Sequence, residues 1–391
     1  MVYPVFATLL FDTTNSILPI DATPTYRGAM LGILVALTPL SQFFSAPLLG
    51  AFSDVHGRKK ALLLGISAGC VGYALAVVGI VTHSIALLFL FRFLVGISEA
   101  TAAVAQATLS DISDSTNKSR RFSLLNSCFG LGFTIGPLIG GKLADPSFGS
   151  WCGYDTPFYV AGAFSLLNFI LVAKCFPETL QKSMKTSFNV FKGLISMAKI
   201  FMWPHMRLLY VAAFSLAFGW TVFNEFIPVL LKTQFNYGSS QIGNFYAVSG
   251  LWYALSTAFA TGPLTMRFSP SKLVVASLFG SSACMLIFLG LEQPILMWVV
   301  LPPFMFLLAL IYPTFSTTIS NRASSESQGE ALGVYHSAQA AASGLSPLIM
   351  GPIVGMYPAS VAWGGAIALF VSAFAFKAGI KKPNVVATSA D

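Results

Sequence analysis

The chain has 391 residues, 55% of them hydrophobic and 9% charged, with a mean hydropathy of +0.75. A soluble chain carries about 25% charged residues, so most of this one is solvated by lipid and a soluble enzyme is excluded. The net charge of +8 would suit a nucleic acid, but the basic residues gather in alternate loops between apolar stretches, which is membrane topology.

At ~20 residues per span plus short loops, the length accommodates about twelve helices. The first span is predicted over 3–20, closing on Leu18-Pro19, with a short outer loop at 21–27. Span two follows at 28–49 and a charged loop at 50–60. Spans three and four are placed at 61–82 and 85–108, before a basic loop with Lys118, Arg120 and Arg121. Spans five and six are placed at 122–143 and 157–176, around an outer loop holding Asp145, Trp151 and Asp155.

Residues 177–207 are the longest polar stretch. Within it, 188–202 sets Phe188, Val190, Phe191, Leu194 and Ile195 against Lys192 and Lys199, the pattern of an interfacial helix. Six more spans are placed at 208–231, 239–262, 273–291, 294–317, 330–355 and 358–377. Of the 22 Lys and Arg, only Arg27, Lys142 and Lys232 fall in outer loops and Arg92 in a span, which puts both termini in the cytoplasm. The first apolar run begins almost at Met1 and continues as a span, so no cleavable signal is expected. Cys70, Cys128, Cys152, Cys175 and Cys284 are odd in number and lack ligand spacing. Neither a disulfide framework, a metal site nor a cofactor is expected.

The halves repeat: Phe122 to Gly141 and Leu332 to Gly351 share a P-L-I run, with Pro137 in step with Pro347. The charged loop has a worn counterpart at 262–272. Two six-helix halves of this kind put a substrate site at their interface, near mid-membrane.

Gly50, Asp54, Gly57, Arg58, Lys59 and Lys60 follow the pattern G-x-x-x-D-x-x-G-R-[KR]-[KR]. This resembles the loop between helices two and three of the major facilitator superfamily. The resemblance implies an all-α membrane protein of twelve transmembrane helices in two pseudo-symmetric six-helix bundles. Those would be 1–176 and 208–391, joined by a cytoplasmic linker at 177–207. It also implies a conformational gate containing Gly50, Asp54, Gly57 and Arg58. Asp111 matches a family position and would pair with Arg58, Arg120 or Arg121, while Asp54 would cap a helix, most plausibly span eleven.

Ionisable groups inside spans cost about 2.5–3.5 kcal/mol each on insertion scales and are functional candidates by default. Here they are Asp12, Arg92, Glu99 and Glu225. Arg92, Glu99 and Gln106 lie seven apart, on one helical face. Arg92-Phe93-Leu94-Val95-Gly96 resembles the family's span-four motif R-x-x-Q-G, with Val95 where the motif has Gln. That likeness implies a part for Arg92 in proton movement, with Glu99 as the added proton carrier. The other reading is a structural Arg92 bonded to backbone carbonyls. Asp12, beside Asn15 and Ser16, resembles the acidic span-one motif of some exporters. It is either a proton or cation site or an interhelical hydrogen bond.

Glu225 stands among Trp220, Phe223 and Asn224, with Tyr246, Trp252 and Tyr253 on span eight. Aromatic faces beside a carboxylate suit a cationic or amphipathic guest. The alternative places these aromatics in a lipid-facing belt. Gly132, Gly136, Pro137, Gly140 and Gly141 resemble the family's antiporter motif, and equally make a close packing seam. His336 is a lone imidazole in span eleven, for an interhelical hydrogen bond or a proton relay. No nucleotide loop or nucleophilic triad appears.

Together these readings imply a proton-coupled exporter of a small organic guest, resembling the drug:proton antiporter branch of tetracycline and multidrug efflux. It would work as a monomer in the bacterial inner membrane, its partners being substrate, protons and the lipid bilayer. An uptake symporter for a metabolite or siderophore, and a non-transporting receptor, are the alternatives.

Overall fold

The computed structural model describes residues 2–12, 17–114, 117–180, 206–289, 293–323 and 328–381, and every regular element among them is helical. Asn15, the linker helix at 188–202 and most of the linker lie outside the described residues. Fourteen helices are labelled here. In the first half they are α1 (Tyr3–Phe11), α2 (Pro24–His56), α3 (Arg58–Val81), α4 (Ile85–Glu99), α5 (Thr101–Asp111), α6 (Lys118–Leu143) and α7 (Thr156–Cys175). In the second they are α8 (Arg207–Phe235), α9 (Ser239–Ser256), α10 (Gly262–Arg267), α11 (Pro270–Leu289), α12 (Pro294–Ser320), α13 (Gln328–Met356) and α14 (Ser360–Ile380). Among the described residues, nine helical segments are long and apolar enough to cross a membrane, α4 and α5 counting as one. The short α1 and the polar α9 and α13 fall outside that measure.

Packing divides the chain into two compact units. One is Met1–Gly193 with Tyr237–Ala247; the other is Leu194–Asn236 with Val248–Asp391. Each has an aromatic centre. In the first, Phe6, Phe91 and Phe158 join α1, α4 and α7, with ring centroids 5.6–6.5 Å apart. In the second, Phe223, Phe288 and Phe304 join α8, α11 and α12 at 4.8–6.2 Å. Edge and tilted contacts of this kind add to the burial of the rings themselves. Small residues bring the helices together. A Cβ on Gly219 of α8 would lie 2.9 Å from the Gly365 carbonyl oxygen of α14. The Ser372 and Ser282 hydroxyls donate to the Ala212 and Ala366 carbonyls, at 2.7 and 2.8 Å.

Five boundaries differ from the hydropathy reading. Among the described residues of the predicted span 3–20, the helix runs from Tyr3 to Phe11, and Asp12 turns extended. Arg27 explains the break. It is 5% exposed rather than in an outer loop, and its guanidinium donates to the carbonyls of Leu10 (2.6 Å), Pro19 (2.8 Å) and Ala22 (3.2 Å). The cation thus satisfies carbonyls that a longer helix would have paired internally.

The outer loop ends at Thr23, not at 27. Thr23 caps α2 through a bond from the Tyr26 N–H, and Pro24 supplies the preset first turn. The charged loop 50–60 is helical up to His56 and again from Arg58, leaving Gly57 as the one residue between α2 and α3. Span eight passes into a five-residue π-helical turn at Thr257–Thr261, and its supposed loop counterpart is helical through Arg267. Span four is interrupted at Ala100, directly after Glu99.

Candidate functional site

The turn between α2 and α3 carries the densest polar cluster of the first unit. Gly57 has φ +104°, a conformation glycine tolerates and other residues resist. A Cβ there would also stand 2.9 Å from the Glu178 carboxyl carbon. Arg58, the first residue of α3, pairs with Asp54 at 2.5 Å and Asp111 at 2.9 Å, and also donates to the Ser53 hydroxyl. Of the partners open to Asp111, the fold therefore brings Arg58. Gly50, one turn before Asp54, has open space around its Cα.

Glu178 is the functional residue the sequence reading missed. One carboxylate oxygen accepts the Arg58 N–H at 2.8 Å, and the other accepts the Lys59 N–H at 3.1 Å. The Thr179 and Leu180 N–H groups add bonds at 3.0 Å. It therefore caps α3 from the end of α7, opposite the positive pole of the helix dipole. Partial burial works against its charge, but the N–H donors of Leu180, Arg58, Lys59 and Thr179 outweigh that and hold the carboxyl below its ordinary value. The available signal was an acidic residue just past a predicted span, but nothing local says which helix it caps.

Arg92 lies between α2 and α4, 2% exposed. It donates to the Leu34 carbonyl at 3.0 Å and the Val35 carbonyl at 3.4 Å. Pro39 lacks the N–H that would pair Val35 within the helix, so the proline creates an acceptor that the arginine fills. The guanidinium also stands over the Tyr3 and Phe6 rings, 5.4 and 5.3 Å from their centroids. In return the Thr38 and Ser41 hydroxyls donate to the Arg92 and Phe93 carbonyls. Gly96 allows this approach, because a Cβ there would lie 2.6 Å from the Ser41 Cβ. Arg92 and Gly96 of the span-four motif thus both serve the contact with α2.

Glu99 ends α4 on the carbonyl pole of that helix. Its side chain lies on the exposed side of the helix, crowded by protein atoms, and within electrostatic range of Arg92 and Tyr73. Its own carbonyl accepts the Gln42 amide at 3.5 Å. Gln106 is also exposed, on the following helix α5.

Asp12 accepts the Tyr154 hydroxyl at 3.1 Å, which ties the outer loop before α7 to the end of α1. Burial, the Asp12 charge and this bond push the Tyr154 phenol up to about 12, so it is a donor at neutral pH. Thr8 shares a bond with Ser239 at 2.9 Å. Beside it, α6 meets the 237–247 segment of the same unit backbone to backbone: a Cβ on Gly243 would lie 2.5 Å from the Pro137 carbonyl oxygen. Pro137 and Gly141 therefore lie in a close seam, with Gly136 half-buried beside them. Tyr246 is buried there against Phe133, edge to face at 6.5 Å.

In the second unit, Asn224 donates to Glu225 at 3.1 Å on α8, and Trp220 stacks near Phe223. Pro228 removes the N–H that would pair the Asn224 carbonyl. The Thr221 and Ser343 hydroxyls meet at 3.2 Å, linking α8 to α13. His336 is exposed on α13, its ring edge-on to Tyr335 with centroids 5.1 Å apart. Trp252 is 41% exposed on α9. Among the described residues, no group of His, Cys, Asp and Glu is arranged to hold a metal ion.

A family model described as Major Facilitator Superfamily matches residues 3–347 and 209–389. The chain is 30% identical over 386 residues to tetracycline resistance protein class C of Escherichia coli, covering 95% of this chain and 89% of the relative. Among solved structures, a D-xylose-proton symporter superposes with a TM-score of 0.72 at 12% identity, covering 98% of this chain and 95% of that one. The human organic anion transporter MFSD10 (TETRAN) gives 0.66 at 20%, covering 96% and 88%. At those identities the two structures speak for the fold.

Proposed function

Because the chain belongs to the major facilitator superfamily and is a membrane transporter rather than an enzyme, we propose that it exports a small organic molecule from the cytoplasm in exchange for protons. The observation that carries this reading is the pairing of whole-chain likeness to a tetracycline resistance protein with a carboxylate, Glu99, at the interruption of span four. A carboxylate inside a span is costly as an anion and cheap as a neutral acid, so proton and conformation are coupled there. Asp12 and Glu225 are further proton or guest sites. Arg92, tied to α2, sets the electrostatics around Glu99. Candidate guest contacts are, in the first unit, Gln106 and, in the second, Trp220, Asn224, Trp252 and His336.

Three carboxylates, Asp12, Glu99 and Glu225, stand against the single cation Arg92, and that balance favours cationic or zwitterionic guests. Tetracycline, for which the relative is named, is the first to test. The Arg58 cluster is the gate: its pairs hold one facing state and break in the other. The protein works as a monomer in the inner membrane of a bacterium, with both termini cytoplasmic.

The test is uptake of labelled guests into inside-out vesicles with an acid interior, which stands for the outside of the cell. Gradient-driven accumulation that is lost in Glu99→Gln supports export coupled at span four. Accumulation only in right-side-out vesicles with acid outside overturns export in favour of uptake. Binding without flux in either orientation would leave a receptor.

A further inference from the structure

The start of α6 carries two arginines that neither the Arg58 cluster nor the guest contacts use. Asn117, Arg120, Arg121, Ser123, Leu124 and Ser127 line a cavity of about 520 Å³. All six lie at the end of one loop and on the first turns of one helix, so the cavity has a single protein wall and opens away from it. The acids nearest in the chain are engaged elsewhere. Asp111 pairs with Arg58 at 2.9 Å, and Asp114 accepts the Asn117 amide at 3.3 Å. Among the described residues, neither Arg120 nor Arg121 pairs with a carboxylate. Arg121 gives one N–H to the Ile112 carbonyl at 2.7 Å, which fixes the side chain and leaves its other donors. Arg120 is exposed.

Two observations separate this pair from ordinary loop charge. The first is position. Cations in the first turn of a helix stand at its positive pole, the unfavourable end. The second is the internal repeat. In the register that sets Pro137 on Pro347, Arg120 falls on Glu330 and Arg121 on Ala331. Glu330 is the acidic first-turn residue of α13, the sign that the helix dipole favours. Spans five and eleven are six spans apart, so both helices begin on the same side of the membrane. Topology alone therefore does not give one of them an arginine pair and the other a glutamate.

The rest of the lining follows a phospholipid from head to chain. Planar guanidiniums suit a phosphate, which they hold through paired N–H donors. The Ser123 hydroxyl is placed to donate to the same group. The Ser127 hydroxyl already donates to the Ser123 carbonyl at 2.9 Å, which leaves its oxygen to accept from a glycerol hydroxyl. Leu124 is 67% exposed beside them, and the exposed Phe129 and Leu131 continue the apolar surface along α6.

We propose that this cavity binds the headgroup of an anionic phospholipid, with Arg120 and Arg121 on the phosphate, the serines on the glycerol and Leu124 against the start of an acyl chain. Basic pockets at the ends of transmembrane helices take such headgroups. The assignment needs the chain to span a membrane; it does not depend on what the chain carries or in which direction.

The experiment is titration of the purified full-length protein in detergent with phosphatidylglycerol, bound lipid being counted by native mass spectrometry. Phosphatidylcholine and glycerol 3-phosphate are the comparison probes. The Arg120 guanidinium is bonded to none of the described residues, so Arg120→Gln should keep the fold, which a melting temperature checks. The phosphatidylglycerol Kd of the tightest site is expected to rise about tenfold in Arg120→Gln and further when Arg121→Gln is added, with Arg120→Lys between wild type and Arg120→Gln. Lys174→Gln removes the same charge from the last turn of α7 and is expected to leave that Kd within about twofold. Equal shifts in Arg120→Gln and Lys174→Gln would reduce the effect to net charge and overturn the site. So would an unshifted Kd in the folded double variant, or wild type holding phosphatidylcholine as tightly. Displacement of the lipid by glycerol 3-phosphate at equal concentration would also overturn it, in favour of a soluble phosphate. Intact lipid binding without guest flux in vesicles would instead sink the transport reading and leave this one standing.

Discussion

Arg58 and Arg92 are both buried in the first unit, yet they are satisfied in opposite ways. Arg58 is held by carboxylates, Asp54 and Asp111, on two other helices. Arg92 is held by main-chain carbonyls of one helix, Leu34 and Val35 of α2. Carboxylate partners ride on separate elements and are lost when those elements part. The two carbonyls, Val35 opened by Pro39 and Leu34 beside it, travel together on one helix. On the proposed reading, that difference separates a contact made to break from one made to last.

The largest expected effect breaks that comparison on the Arg92 side. Arg92→Ala leaves the buried Val35 carbonyl unpaired, at about 1–3 kcal/mol, removes the bond to Leu34 and the ring contacts as well, and is expected to lower the melting temperature sharply. Pro39→Ala restores an N–H to the Val35 carbonyl, so the double variant should melt above Arg92→Ala alone. Strict additivity of the two changes would show that the proline and the arginine are not coupled.

Arg58→Ala comes next. Its partners are partly exposed, 31% for Asp54 and 26% for Asp111, and can rehydrate, so the fold should survive. Transport is expected to fall at least about tenfold, a barrier change of about 1.4 kcal/mol. Collapse of expression with the melting temperature would place Arg58 beside Arg92 as a structural staple.

The smallest effect is at Glu178. Glu178→Gln should cost about 0.5–2 kcal/mol, the range for an N-cap. Because its folded carboxyl is held below the ordinary value, the stabilisation is fully present above the unfolded value and is lost as pH falls through the folded one. Wild type and variant should therefore converge in melting temperature on the acid side. A constant gap across that range would mean the charge is not what caps α3.

Much of this was written in the chain itself. Hydropathy placed the spans because an apolar run of ~20 residues has few other uses. The Arg58 cluster was legible in part because Gly57 and Arg58 sit in one short local pattern. Glu178 was not legible, since its partner backbone is 120 residues away. Nor was the end of α1 at Phe11, because Arg27 reaches back to it from another helix.

Sequence alone determined the lipid solvent, the helical class, the family and the list of ionisable groups worth examining, because each follows from composition or from residues adjacent in the chain. Tertiary structure alone decided which of those groups meet. It set Asp111 against Arg58, Tyr154 against Asp12, Arg92 on the Val35 carbonyl that a proline had freed, and Gln339 against Tyr335. A hydrogen bond depends on distance in space, and hydrophobic periodicity says which face of a helix is turned inward but not what waits opposite it.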